Sequence, residues 1–401
     1  MNAGLLPFDE ALERLLGYAR PVREIEEVDT LIAAGRVLAV NQRSPIAQPP
    51  MDNSAMDGYA LRVADVPAPG TRLPVSQRIA AGGAAHPLAV GSAARIFTGA
   101  PLPAGADAVV MQELCEHQGD SVVINHLPQA GESVRRMGED IAAGAEVLIQ
   151  GSRLRVPEMA LAASLGLARL PVYRRLRVAI FSTGSELVMP GEPLRPGAIY
   201  NSNRYMLRGL LAGLGCEVTD LGIVPDNLEA TRKALRDAAE GHDLIVTSGG
   251  VSVGEEDHVK PAVEAEGSLD MWRIAMKPGK PLAYGRVHAA AFVGLPGNPV
   301  SGFVTFLMML RPFVLASQGV RQPLPRALSL LAAFDWPRPD RRREFLRARL
   351  DAHGHVELFP NQGSAALQST TWAEGLVDVP AATPVRRGDA VRFLPYGELL
   401  G

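Results

Sequence analysis

The order of apolar and polar positions changes character several times along the chain. Leu12, Leu15 and Leu16 recur at helical spacing behind Asp9, which predicts a helix over residues 7–16. Leu31, Ile32, Val37 and Leu38 predict a second helix over residues 28–40, with those four as its buried face. From residue 41 to residue 140 the runs shorten. Apolar stretches at 73–75, 94–97, 108–111 and 122–124 alternate with Gly- and Pro-rich segments, as in a mostly β region with irregular loops. Pro157 then opens a helix at its first turn, and small apolar residues continue it over 159–167. The helices on either side of the β segment are alike, so the β segment reads as an insertion between helices that pack together.

A basic linker at 170–176 ends this part, and strand and helix then alternate. Residues 178–181 form a strand. Leu207, Leu210, Leu211 and Leu214 then recur at i, i+3, i+4 and i+7, with Asn201 or Ser202 as cap and Gly215 as stop. A strand over 218–224 and a helix through Ala239 follow. Leu244, Ile245 and Val246 make a short continuous apolar run, as in a strand buried on both faces. This alternation predicts a parallel sheet with ligands at the carboxyl ends of its strands. A Pro- and Arg-rich boundary at 321–340 leads to short alternating runs at 345–350, 356–359, 376–379 and 390–394, a small all-β domain.

In the α/β half, every polar cluster falls at strand ends: Thr183–Glu186, Asp226, residues 248–257, Lys277–Lys280 and Pro296–Ser301. The glycine pair Gly249-Gly250, directly after a strand, lets backbone approach a ligand, and its N–H groups can hold an anion. Glu255, Glu256 and Asp257 follow, as metal-binding carboxylates or as acids at a helix N-terminus. In KPGKP, Pro278 and Gly279 fold two lysines toward one place. GLPGNPVSGF reads as a strand-to-helix junction whose N–H groups and Ser301 suit an anion, or as a capped buried helix. Earlier loops carry Asp52 and Asp57 in PPMDNSAMDGYA, Thr98 in a Gly/Pro turn, and Arg135, Arg136, Glu139 and Asp140 together. These read as turn chemistry and a solvated loop, or as an arginine pair aimed at an anion.

At 401 residues the chain exceeds one ordinary core, so about two to four domains are expected. A net charge of −3 gives no basic footprint for nucleic acid. Cys115 and Cys216 fit neither a disulfide framework nor a metal spacing, which suits a reducing compartment. The N-terminal stretch carries acids and has no long apolar core, unlike a signal peptide. Residues 289–310 carry no formal charge and are long enough to span a bilayer. Gly294, Pro296, Gly297, Asn298 and Pro299 interrupt them, so they read as strand, turn and buried helix.

PPMDNSAMDGYA, TGAPLPAGADAVV, GED, STGSE, SGGVSVGEED, KPGKP and LPGNPVS occur in this order. Their sequence and spacing resemble the molybdopterin molybdenumtransferase family, which includes bacterial MoeA, plant and animal molybdenum insertases and the gephyrin E domain. The resemblance covers essentially the whole chain. It implies a central MogA-like parallel α/β domain at 177–322 and a mostly-β inserted domain at 27–147. A helical linking domain at 1–26 and 148–176 and a C-terminal β domain at 323–401 complete it. It implies insertion of molybdenum from molybdate into adenylated molybdopterin, with divalent-cation-dependent release of AMP. An elongated cytoplasmic homodimer is implied, with its cleft between the α/β domain of one subunit and the β domain of the other. Other molybdenum-cofactor biosynthesis proteins and molybdoenzymes would be further partners, with neither nucleic acid nor membrane among them.

Residue roles carry over in the same way. Asp226 and Asp257 would hold Mg2+ or another divalent cation, with Glu186 nearby. Thr183, Ser248, Gly249, Gly250, Ser252 and Gly254 would cradle the adenylate or pterin phosphate. Lys277 and Lys280, with Arg273, would bind molybdate as point charges, and Ser301, Pro296 and Pro299 would complete the junction. Arg342 or Arg347 and Ser369 would come from the last domain, and Asp57, Thr98, Arg135 and Asp140 from the other subunit. The chain departs from the family at Ser185, where an acid is expected, and in the loose serine loop GSAALQST. A pyrophosphate hydrolase on the same α/β module would not need the PPMDNSAMDGYA domain or the last β domain. A scaffold protein would need interaction regions that no long linker supplies here.

Overall fold

The computed structural model describes residues 5–250 and 258–400. They form two compact units, one from residues 1–39, 150–155 and 170–401, the other from 40–149 and 156–169.

In the first unit the strand Leu244–Ser248 is buried throughout and lies inside a six-stranded sheet. The order is Glu217–Val224, Arg177–Thr183, Leu244–Ser248, Ala290–Leu295, Pro281–Val287, Gly267–Arg273. Alternate residues feed two cores: Val178, Val246 and Val293 on one face, Ala179, Ile245 and Phe292 on the other. The first four strands are parallel. Pro281–Val287 runs antiparallel to both neighbours, so the sheet is mixed rather than wholly parallel. A two-residue hairpin is the cause: Val287 pairs with Ala290, and His288 takes a φ of 52°. Loops this short join only antiparallel strands.

The helix Ser202–Gly213 forms as its leucine spacing predicts. Asn201 Oδ1 accepts the Arg204 amide, Leu207 and Leu211 are buried, and Gly215 stands just beyond with a φ of 81°. Residues 299–317 form one continuous helical run, with a π-turn at Phe306–Leu310 just before Pro312. Such a turn accommodates the missing proline N–H. The run is long and apolar enough to cross a membrane, yet 94% of its most apolar window is buried inside the protein.

The expected helix over 28–40 does not form. Residues Ile25–Asp29 are a strand paired with Arg169–Tyr173, followed by a 3-10 turn over Thr30–Ile32. Asp29 caps that turn through the Leu31 amide, and Gly35 at a φ of 74° prevents a helix from continuing. Leu31 and Ile32 are 82% and 69% exposed, whereas Val37 and Leu38 are buried through bridges to Arg153 and Val172. The N-terminal helix Phe8–Tyr18 is buried by the α/β core rather than by a helix pair. Phe8, Ala11 and Leu15 join that core, and the Phe8 ring lies 5.2 Å from Phe345.

The C-terminal strands also belong to this unit. Met276–Lys277, Arg343–Leu350, Gly375–Val379, Ala390–Pro395 and Leu328–Leu331 form a sheet in that order, with Val356–Leu358 added beside Arg343–Leu350. The two-residue strand Met276–Lys277 leaves the α/β core and pairs in parallel with Arg343-Glu344, which stitches the two sheets together.

The second unit holds a six-stranded sheet: Ala108–Met111, Gly58–Leu61, Ala93–Ile96, Thr71–Ile79, Ser121–Ile124 and Cys115–Gln118. Leu61, Val110 and Val122 pack on one face, Ala60, Ile96 and Val109 on the other.

Candidate active site

A cavity of about 920 Å3 opens at the carboxyl ends of the parallel strands. Three turns build its floor. Thr183 ends one strand, Ser248 the next, and Pro296 follows a third. Gly249 and Gly250 take φ values of 89° and 65°, a region that side chains rarely adopt. Gly249 and Gly297 are neighbours: a Cβ on Gly297 would be in ordinary contact with the Gly249 Cα, at 3.5 Å. Asn203 ties these turns together: its Nδ2 donates to Ser248 Oγ and to the Gly297 carbonyl, each at 2.7 Å. Ser252, Gly254 and Asp257 lie outside the described residues.

The helix junction lines the cavity with Pro296, Pro299 and Ser301, which is buried. One of its expected free amides is already used, since Val300 N donates to the Ser364 carbonyl at 3.1 Å. The loop carrying Ser364 thereby becomes a wall, with Gln362 and Gly363.

The lysine turn adds a further part of the lining. Lys277 and Lys280 both line the cavity. Gly279 holds a φ of 95°, and a Cβ there would sit 2.2 Å from Thr305 Oγ1, so the turn is pressed onto the buried helix. Lys277 Nζ lies 3.1 Å from Glu344 Oε1 and 3.4 Å from Asp340 Oδ2. Arg342 also reaches the cavity, and its Nε and Nη2 donate to Asp340 at 3.0 and 2.9 Å. The Arg342 bonds hold the Asp340 carboxyl well below the ordinary carboxylate range, against the effect of burial. Lys280 has no ion-pair partner among the described residues.

Glu186 is the carboxylate that lines the cavity. It folds back over Gly184, whose φ of 141° is one that L side chains rarely adopt. Asp226 stands behind Thr183 and accepts from its Oγ1 at 3.1 Å. No group of three or more metal-binding side chains occurs among the described residues. A divalent cation with few protein ligands and several substrate oxygens or waters still fits Asp226, an anionic oxygen donor.

In the first unit Arg273, Arg347 and Ser369, like Asp226, are outside the cavity lining. Arg273 ends the edge strand, exposed, outside the lining. Arg347 is fully buried and Ser369 is buried beside it. Arg347 Nε donates to Ser369 Oγ at 3.0 Å and its Nη2 to the carbonyls of Asn361 and Gly363, so it anchors the 361–363 loop from behind. Burial lowers the guanidinium pKa to about 10.

In the second unit, Asp57 accepts from both the amide and the hydroxyl of Thr98, each at 2.8 Å. These bonds, the amide first, hold its carboxyl below the ordinary value. Arg135 is exposed and pairs with Asn53 across two short strands. Asp140 is exposed, and its amide donates to the Gln48 carbonyl. Asp52, beside them, accepts from Arg136 Nη1 at 2.7 Å and the Met137 amide at 2.8 Å.

Sequence reasoning missed Asn203, Asp340, Glu344 and Gln362; in the serine loop GSAALQST it named Ser369, whereas Gly363 and Ser364 line the cavity. A signal for Asn203 was available in Asn201-Ser202-Asn203, a polar triplet at a helix start. Nothing local marked Asp340 or Glu344.

These features define a multidomain α/β protein whose cavity suits small anionic molecules. Comparison with known proteins narrows that class. Residues 6–166 match the MoeA N-terminal region (domain I and II), 179–316 a probable molybdopterin binding domain, and 329–396 the MoeA C-terminal region (domain IV). A molybdopterin molybdenumtransferase of Haemophilus influenzae is 38% identical over 99% of this chain and 100% of that protein. Molybdopterin molybdenumtransferase 2 of Mycobacterium tuberculosis is 40% identical over 87% of this chain and 89% of its own length. The crystal structure of a molybdopterin biosynthesis MoeA protein from Pyrococcus horikoshii superposes with a TM-score of 0.87 at 29% identity, covering 98% and 100% of the two chains. The chain belongs to the molybdopterin molybdenumtransferase (MoeA) family.

Proposed function

We propose that this protein inserts molybdenum from molybdate into adenylated molybdopterin and releases AMP. The observation that carries the reading is the cavity's pairing of a glycine turn with a lysine turn, in a chain whose full length matches the family. The Ser248–Gly250 turn brings the Ser248 hydroxyl and the Gly250 backbone to the phosphate of the adenylate, the Gly249 amide being held by the Leu295 carbonyl, and Lys277, Lys280 and Arg342 offer charge to the molybdate. Ser301 adds a hydroxyl beside the lysines. Two anions are thus accommodated in one cavity, which brings the pterin dithiolene and the oxyanion together. Asp226 and Asp257 would hold Mg2+ or a similar cation, which screens phosphate charge when bound. Glu186 stays ready on the same side to orient a phosphate-bound water or the nucleoside. Arg347 and Ser369 act on this reading by holding the loop over the cavity, and Arg273 by its charge at the strand end. Asp57, Thr98, Arg135 and Asp140 complete the site from a second subunit of a cytoplasmic homodimer.

The test is to incubate the protein with adenylated molybdopterin, magnesium and molybdate, and to measure AMP and molybdenum-loaded cofactor. Both products are expected, in equal amounts. AMP release that ignores molybdate would instead mark a hydrolase.

A further inference from the structure

Two cations of the lysine wall, Lys277 and Arg342, already have acid partners. Glu344 is the deeper of the two acids, with its side chain only 1% exposed. Its Oε2 accepts from the Trp336 indole at 2.8 Å and from the Asp340 amide at 2.9 Å. Its Oε1 meets the Lys277 ammonium at 3.1 Å and has no hydrogen-bond donor besides among the described residues. Pulling Lys277 away would leave a buried carboxylate oxygen unpaired, which is costly. Glu344 is therefore a fixed tether.

Asp340 differs. Its side chain is 24% exposed, and it shares its charge between Lys277 and Arg342. The backbone keeps it in place: Ala382 N donates to its carbonyl at 2.8 Å, and the Arg342 amide to its Oδ1 at 3.0 Å. It contacts two cavity-lining cations, Lys277 and Arg342, and it is itself an oxyanion that takes bidentate hydrogen bonds from a guanidinium.

We propose that Asp340 is an internal competitor for the oxyanion substrate, while Glu344 positions Lys277. An incoming tetrahedral dianion takes over the Lys277 and Arg342 contacts that Asp340 holds in the empty cavity, and Glu344 retains Lys277 throughout. The two acids then have opposite effects. Asp340 lowers affinity and raises selectivity for a dianion, because a singly charged oxyanion gains too little to displace a carboxylate. Glu344 raises affinity by keeping the ammonium in place. This inference rests on the reading above, in which the lysine wall takes molybdate.

The experiment is titration calorimetry of molybdate and perrhenate, a dianion and a monoanion of the same shape, on the full chain. It uses the unaltered protein, Asp340→Asn, Glu344→Gln and Lys277→Ala. Asp340→Asn is expected to bind molybdate roughly two- to fivefold more tightly, the scale of a partly exposed charge pair, and to gain proportionately more for perrhenate. Glu344→Gln is expected to bind molybdate more weakly. Molybdate affinity unchanged or weakened in a folded Asp340→Asn protein would overturn the proposal, since a merely structural role predicts loss and never gain. Asp340→Ser serves the same test should the asparagine variant not fold. Molybdate binding that survives Lys277→Ala unchanged would remove the underlying reading, and this inference with it.

Discussion

Gly279 shows how much of the site a single backbone position controls. Its φ of 95° is open to glycine and strained for any other residue, and its Cα faces Thr305 Oγ1 with no room for a methyl group. Gly279→Ala is therefore expected to cost about 2 kcal/mol or more, read as a lowered urea midpoint. Thr305→Ala in the same chain should recover only part of the loss, because it removes the overlap and leaves the φ strain. Full recovery would show that the overlap alone matters. The glycine was legible in KPGKP because proline and glycine carry their conformational meaning locally. The counter-ions of Lys277 were not. Glu344 faces Lys277 through a parallel pairing between two remote segments, and no feature of either segment announces that register.

At the scale of elements, the same contrast between local and remote information recurs. The helix Ser202–Gly213 was readable because its leucines, cap and glycine stop all agree. The 28–40 segment misled because Leu31, Ile32, Val37 and Leu38 mimic a helical face, while Gly35 and strand pairing with Arg169–Tyr173 decide the outcome. Asp243 shows a remote clamp on a well-predicted strand. It precedes Leu244–Ser248, at the end away from the cavity, and accepts from Arg174 at 2.7 and 2.9 Å and from the Arg177 amide at 2.8 Å. Burial pushes its carboxyl up, and these bonds outweigh that effect, so it sits below its ordinary value of 3.8. A carboxylate with a lowered folded pKa stabilises fully above its unfolded value and loses that contribution as pH falls through the folded one. Asp243→Asn should cost about 1–3 kcal/mol at neutral pH, with the gap to the unaltered protein closing below pH 3.8. Urea unfolding at neutral and acid pH checks this, and a gap that stays constant with pH would refute the clamp.

For the whole molecule, the decisive question is where Asp57, Thr98, Arg135 and Asp140 do their work. All four belong to the second compact unit, while every group lining the cavity belongs to the first. Their motifs were visible in the sequence, yet spacing alone gave them no task. If a second subunit brings them to the cavity, a two-fold dimer has two sites, each made from both chains. Asp57→Asn and Lys277→Ala then damage different halves of one site. Each variant alone should lose most insertion activity. A dimer of one Asp57→Asn chain and one Lys277→Ala chain carries one site with both lesions and one with neither. Equal co-expression should therefore restore about a quarter of normal activity, because about half of the dimers are mixed and each has one intact site. A site completed within one chain predicts no recovery, since each chain then carries its own lesion. Native mass spectrometry of the same sample establishes that mixed dimers are present. With them present, absence of recovery would refute a site that combines Asp57 of one chain with Lys277 of the other.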